Sequence, residues 1–148
     1  MVAISFSVFK DKLLDGTKTQ TMRELNIPRL EQMRDLGIQI YWKQRTKESE
    51  KLFDAIFKSV KFLAFDSDGL RWEVLASTWE TDRNLFIDPD IRELSHEEKN
   101  TIARKDGFES IEEMNGWFLK TYGSSLYESD PLGLTPVFMA IEWEPTTN

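Results

Sequence analysis

The sequence predicts an α+β domain in which a sheet of four to six mostly hairpin-connected strands carries helices at one end. Three observations predict it. Short apolar or alternating segments such as "AISFS", "IQIYW" and "TPVFMAIEW" read as strands. The pair "KLFDAIFKSVKFLAF" and "LRWEVLAS", separated by "DSDG", reads as a long hairpin. Two serine–glutamate capping signals, Ser95 with Glu98 and Ser110 with Glu113, mark two late helices.

In chain order, "AISFS" alternates apolar and polar positions and forms the first strand. "VFKDKLLDG" then places Val8, Phe9, Leu13 and Leu14 on one helical face and stops at Gly16. "TKTQTMR" is the strand that follows. Pro28 starts a helix through "PRLEQMRDL", Gly37 ends it, and "IQIYW" is the next strand. "KQRTKESEK" is a charged connection. In "KLFDAIFKSVKFLAF", Phe53, Ile56, Phe57 and Val60 fit a helix, but the phenylalanine and valine content fits a long strand, which is the reading adopted. Its length suits a small curled barrel. A loop containing Pro89 leads to the two capped helices. The first ends near "RKDG". The second turns Ile111, Met114, Phe118 and Tyr122 inward, with Trp117 also expected in the core, and ends at Gly123. "SSLYESDPLGL" is a loop before the final strand.

The 148 residues suit one domain, residues 1–148, without repeats or low-complexity tracts. The absence of cysteine excludes disulfides, thiolate nucleophiles and cysteine-ligated metals. His96, the sole histidine, sits just after a helix cap, which argues against Ser-His-Asp chemistry and multi-histidine metal sites. No metal or cofactor is expected. The amino terminus lacks a secretory pattern and no stretch reaches membrane-spanning length, so the expectation is a cytoplasmic protein with no membrane partner.

Net charge is −7, against the basic balance usual in nucleic-acid binders. The charge is unevenly placed: residues 1–65 hold 12 Lys and Arg against 8 Asp and Glu, a balance of +4, and residues 66–148 hold 7 against 18, a balance of −11. An anionic ligand would meet the first half. There, Lys18, Thr19, Thr21 and Arg23 follow the Gly16 turn. Thr19, Thr21 and Arg23 share one strand face, and Lys18 must lie in the turn and fold back to join Thr21. The alternatives are an exposed lysine beside a strand threonine, and a salt bridge from Arg23 to the acidic half. Tyr41, Trp42, Lys43 and Arg45 interleave aromatics with cations, as single-stranded RNA sites do, or else place their aromatics in the core.

The "GTKTQTMR" stretch, followed by "IYWKQRTKESEKLF" and by "ARKDGFESIEEMNGWFLKTYG", resembles the ASCH domain family, related to the PUA-like RNA-binding barrels. The resemblance is strongest over residues 4–53 and 95–123. It implies a small PUA-like β-barrel of mostly antiparallel strands with helices over its openings, and a cleft that takes RNA or a modified nucleoside. In one branch of the family it implies an amidohydrolase that deacetylates acetylated cytidine; other members bind RNA without catalysis or act as ribonucleases. Carried over, Lys18 and Thr21 match the catalytic lysine and threonine and Arg23 matches the arginine two beyond. Asp106 stands where the family has a glutamate, one methylene longer. An Asp-Gly turn is the other meaning of Asp106 with Gly107. A protein-binding adaptor acting through the acidic half is the remaining class.

Overall fold

A computed structural model describes residues 1–66, 71–76, 92–126 and 136–146. The elements run β1 (Val2–Phe6), α1 (Lys10–Asp15), β2 (Gln20–Glu24), α2 (Ile27–Leu36), β3 (Ile38–Trp42), β4 (Glu50–Asp66), β5 (Arg71–Ala76), β6 (Arg92–Glu93), α3 (His96–Lys105), α4 (Ile111–Tyr122), a 3₁₀ turn (Gly123–Leu126) and β7 (Phe138–Pro145). The expected "DSDG" turn falls mostly, the Pro89 loop wholly, and most of "SSLYESDPLGL" outside the described residues.

The 17-residue β4 organises the sheet. Along one edge it pairs antiparallel with β3 and, farther on, with β5; along the other it pairs antiparallel with β7, which in turn pairs with β2. β1 joins β3 in parallel, so the sheet is mixed, and it curls into a half-barrel. The helix reading of β4 fails for a physical reason. Successive side chains of a strand face opposite ways, and this sheet has a core on each side. Val60 and Phe62 enter one core with Leu13, Leu30, Ile40 and Trp143, while Leu63 and Phe65 enter the other with Ile102, Met114 and Phe118. β7 alternates likewise: Met139 and Ile141 go to the first core, Phe138 and Ala140 to the second.

Local chemistry sets the helix ends. α2 starts at Asn26, whose Oδ1 accepts from Arg29 N at 3.1 Å, with Pro28 in the first turn. Ser95 and Glu98 form the full reciprocal box. Ser110 makes half of one: its hydroxyl accepts from Glu113 N, but the Glu113 carboxylate accepts from Glu109 N instead of Ser110 N. The first helix is shorter than expected. Phe9 takes a left-handed backbone (φ 65°) outside it, and Val8 and Leu14 are exposed, leaving Leu13 as its buried anchor. No helix among the described residues is long and apolar enough to cross a membrane.

Among the described residues no backbone ladder joins the edge strands β1 and β2. Arginines span the seam. Arg23 Nη2 donates to Ser5 O at 2.9 Å, and Arg29 Nη2 donates to Ala3 O.

Candidate active site

At one end of that seam lies a cavity of about 350 Å³, within the range of small-molecule sites. Its apolar walls include Phe6, Phe9, Trp117, Phe118 and Tyr122, and its polar groups are Lys18, Thr21, Arg23, Glu24 and Asp106 with two serines.

Lys18 reaches the cavity from a turn. Gly16 ends α1 at φ 83°, Asp15 Oδ1 accepts from Thr17 N, and Lys18 N closes onto Lys12 O. β2 begins only at Gln20, so strand alternation does not govern Lys18, and its side chain folds into the cavity that Thr21 also lines. The exposed-lysine alternative is overturned: Lys18 is 3% exposed. Its Nζ donates to Gln20 O at 2.8 Å and to Asp106 O, lies 3.8 Å from Asp106 Oδ2, and sits 5.1 Å from the Phe6 ring centre. Burial lowers its pKa from 10.5 to about 8, against the opposing pull of the Asp106 carboxylate.

Asp106 caps α3 at its C-terminal end, where a carboxylate opposes the helix dipole. Lys18 supplies the compensating charge, and Lys12 Nζ donates to the next carbonyl, Gly107 O. Burial nevertheless raises the Asp106 pKa, with Lys18, Gln20 and Arg23 pulling the other way. Its Oδ1 is buried without a hydrogen-bond partner among the described residues. An orphaned acceptor of this kind is costly unless a donor reaches it.

Thr21 and Arg23 share a face of β2. Arg23 Nε donates to Thr21 Oγ1 at 3.0 Å, and the guanidinium carbon lies 5.2 Å from the Phe6 ring centre. The acidic-half alternative for Arg23 is not realised as an ion pair among the described residues, where its partners are Thr21 and Ser5. No hydrogen bond joins Lys18 to Thr21 directly among the described residues; the two meet across the cavity.

Gly107 shapes the wall. It has φ 105°, and a Cβ there would stand 2.8 Å from the Phe9 ring. Phe9 therefore packs against bare backbone, edge-on to Phe108 at 5.2 Å.

The other predicted residues lie elsewhere. Thr19 precedes β2; its backbone pairs with Lys105 O and Trp143 N, and it is not part of the cavity wall. Tyr41 and Trp42 are half-buried in β3, and Trp42 packs on the core beneath α1 and α2, with Lys10 and Lys43 at 5.8 and 5.5 Å from its ring centre. Lys43 lines an adjoining cavity that shares Ser5, Phe6 and Ser7 with the first. Arg45 is exposed in the following turn at φ 69°.

Sequence reasoning missed the aromatic walls. Trp117, expected in the core, is 42% exposed at the cavity, and its ring meets Phe118 at 5.0 Å. Phe6 and Phe9 read from the sequence as ordinary core positions.

Among the described residues, no cluster of His, Cys, Asp or Glu has the makings of a metal site. The groups at hand are an amine whose pKa is lowered to about 8, a hydroxyl that accepts from a guanidinium, and a buried carboxyl beside the amine: the parts of a general base, a nucleophile and an orienting group. No family model, curated protein or solved structure matches the chain.

Proposed function

We propose that the protein is an amidohydrolase that removes the acyl group from an acylated pyrimidine nucleoside, acetylated cytidine being the model substrate. The observation that carries this reading is the buried Lys18 amine, its pKa lowered to about 8, paired with Asp106 and lining one aromatic-walled cavity with Thr21. At neutral pH roughly a tenth of such an amine is free base, enough to serve as a catalytic acceptor.

In this mechanism Thr21 Oγ1 attacks the acyl carbonyl while its proton passes to neutral Lys18. Arg23 Nε, already donating to that oxygen, favours the developing alkoxide. The C–N bond breaks as the exocyclic nitrogen takes the proton from Lys18; water then attacks the threonine ester, giving its proton to Lys18, which returns it to the departing Thr21 Oγ1 as the acid is released. Asp106 holds Lys18 in place. Phe6, Phe9 and Trp117 offer ring faces for the pyrimidine. The half-barrel and the "GTKTQTMR" strand accord with membership of the ASCH branch of PUA-like barrels, which is part of the proposal.

The second reading is a non-catalytic single-stranded RNA module. A polyanion needs uncompensated cations. Near the cavity, Lys10 pairs with Glu50 at 2.9 Å, Lys12 with Glu109 at 3.0 Å and Lys43 with Glu48 at 2.8 Å. This pairing favours an uncharged nucleoside over a phosphate chain.

The test is chromatography of cytidine released from acetylated cytidine by the wild type and by Thr21→Val. Release by the wild type and its loss in the variant are expected. Equal release by both, or none by the folded wild type, would overturn the assignment.

A further inference from the structure

Behind Arg23 lies a separate cavity of about 210 Å³ that shares Ser5, Arg23 and Glu24 with the main one. Its character is different. Three buried apolar side chains, Ile4, Met33 and Met139, line it together with Arg29 and Asn26.

Arg29, a solvent-exposed residue at the cavity mouth, supplies its spare donors. Among the described residues it has no carboxylate partner, and its one side-chain hydrogen bond goes through Nη2 to Ala3 O, leaving the rest of the guanidinium fork unused. Arg23 repels it, while Asp106 balances Arg23 from the front. Two guanidiniums therefore meet the single carboxylate of Glu24 at this cavity, a surplus of one positive charge. The start of α2 adds to the field. Its first turn carries no acidic residue, whereas α3 and α4 each carry two glutamates there.

We propose that the cavity between Arg23 and Arg29 is a carboxylate-binding subsite adjoining the main cleft. A planar carboxylate matches the guanidinium fork in two places at once. The methionine and isoleucine walls suit a short carbon chain leading to that carboxylate, and a highly hydrated phosphate gains nothing from them. Because the cavity meets the cleft at Arg23 and Ser5, the proposal also deepens the amidase reading, on which this extension rests: acyl groups ending in a carboxylate would extend from the cleft past Arg23 toward Arg29.

The experiment uses succinate as the probe, titrated calorimetrically into the full chain at low ionic strength. Dimethyl succinate, of the same chain but uncharged, is the control. Succinate should bind and the diester should not. Arg29→Gln should weaken succinate roughly tenfold or more, the scale of a lost charged hydrogen bond. Arg29→Lys, which keeps the charge and loses the fork, should fall between the two, and melting curves confirm that both variants fold. Absence of succinate binding to the wild type, equal binding of the diester, or equal binding by Arg29→Gln would each overturn the subsite. Inorganic phosphate binding more tightly than succinate would also overturn it, since the site would then be a phosphate site. Cytidine titrated into the wild type addresses the nucleoside reading by itself: its failure to bind would leave a positive succinate result standing.

Discussion

Replacing Lys18 with methionine tests how strongly the fold perturbs this amine. Methionine keeps an unbranched side chain in the pocket and removes the titrating group. In the folded protein burial lowers the Lys18 pKa from 10.5 to about 8. That difference corresponds to about 3 kcal/mol between the two protonation states. The sign follows from proton counting. Below about pH 8 both folded and unfolded chains carry the proton, and the cost of burying the charge is fully present. Between about 8 and 10.5 the unfolded chain holds a proton that the folded chain has released, so stability rises with pH, by at most ~1.4 kcal/mol per pH unit. Above 10.5 the contribution levels off. Urea denaturation of the wild type and Lys18→Met at intervals from pH 7 to 10.5 reads this directly. The difference between the two curves should move by about 3 kcal/mol in favour of the wild type across the window, whatever baseline the lost hydrogen bonds to Gln20 and Asp106 impose. Parallel profiles would show that Lys18 titrates as a free lysine does, and the case for it as a base would fail.

The other substitutions probe its neighbours. Asp106→Asn removes the charge that supports protonated Lys18, so the acidic limb of the activity profile should shift to lower pH; a shift to higher pH would contradict the pairing. Arg23→Lys keeps the charge but loses the bridge from Thr21 to Ser5. Calorimetry should show nucleoside affinity weakened by roughly 1–3 kcal/mol and a melting curve a lower Tm; unchanged affinity with a lowered Tm would make Arg23 scaffold alone. Gly107→Ala sets a Cβ 2.8 Å from the Phe9 ring at a φ of 105°, and should cost roughly 1–3 kcal/mol in denaturation; a neutral result would mean that Phe9 is free to move. Trp117→Ala, at an exposed position, should leave stability within about 1 kcal/mol yet weaken nucleoside binding, and unaltered binding would remove the indole from the recognition surface.

The turn at Gly16, the inward fold of Lys18 and the common face of Thr21 and Arg23 were legible because strand period and glycine geometry are local rules. Asp106 entered through a resemblance and an unfavourable charge at a helix end, and the ion pair with Lys18 accounts for that charge. What stayed hidden depends on tertiary contact. Thr19 has the same period as Thr21, but the strand begins one residue after it, and its backbone is committed to Lys105 and Trp143. Trp117 neighbours Phe118 on α4; Phe118, Met114 and Ile111 form the buried stripe, and the residue beside that stripe swings to the helix flank that borders the cavity. No sequence rule announces a left-handed phenylalanine at position 9, a conformation rare for a bulky side chain. It is tied to a glycine almost a hundred residues away. The long β4 was ambiguous for the same reason: two cores, one on each face, make apolar residues useful on both faces and erase the two-residue alternation that marks a strand.

The most direct test of the proposed chemistry is rapid mixing of the protein with acetylated cytidine, followed by acid quench and peptide mass spectrometry. Attack by Thr21 with Lys18 as base predicts an early release of up to one equivalent of cytidine. It also predicts an acetyl ester on the peptide bearing Thr21, absent from Lys18→Met. Cytidine release with no modified Thr21 at any time and no loss in Lys18→Met, or no release at all from the folded wild type, would contradict it.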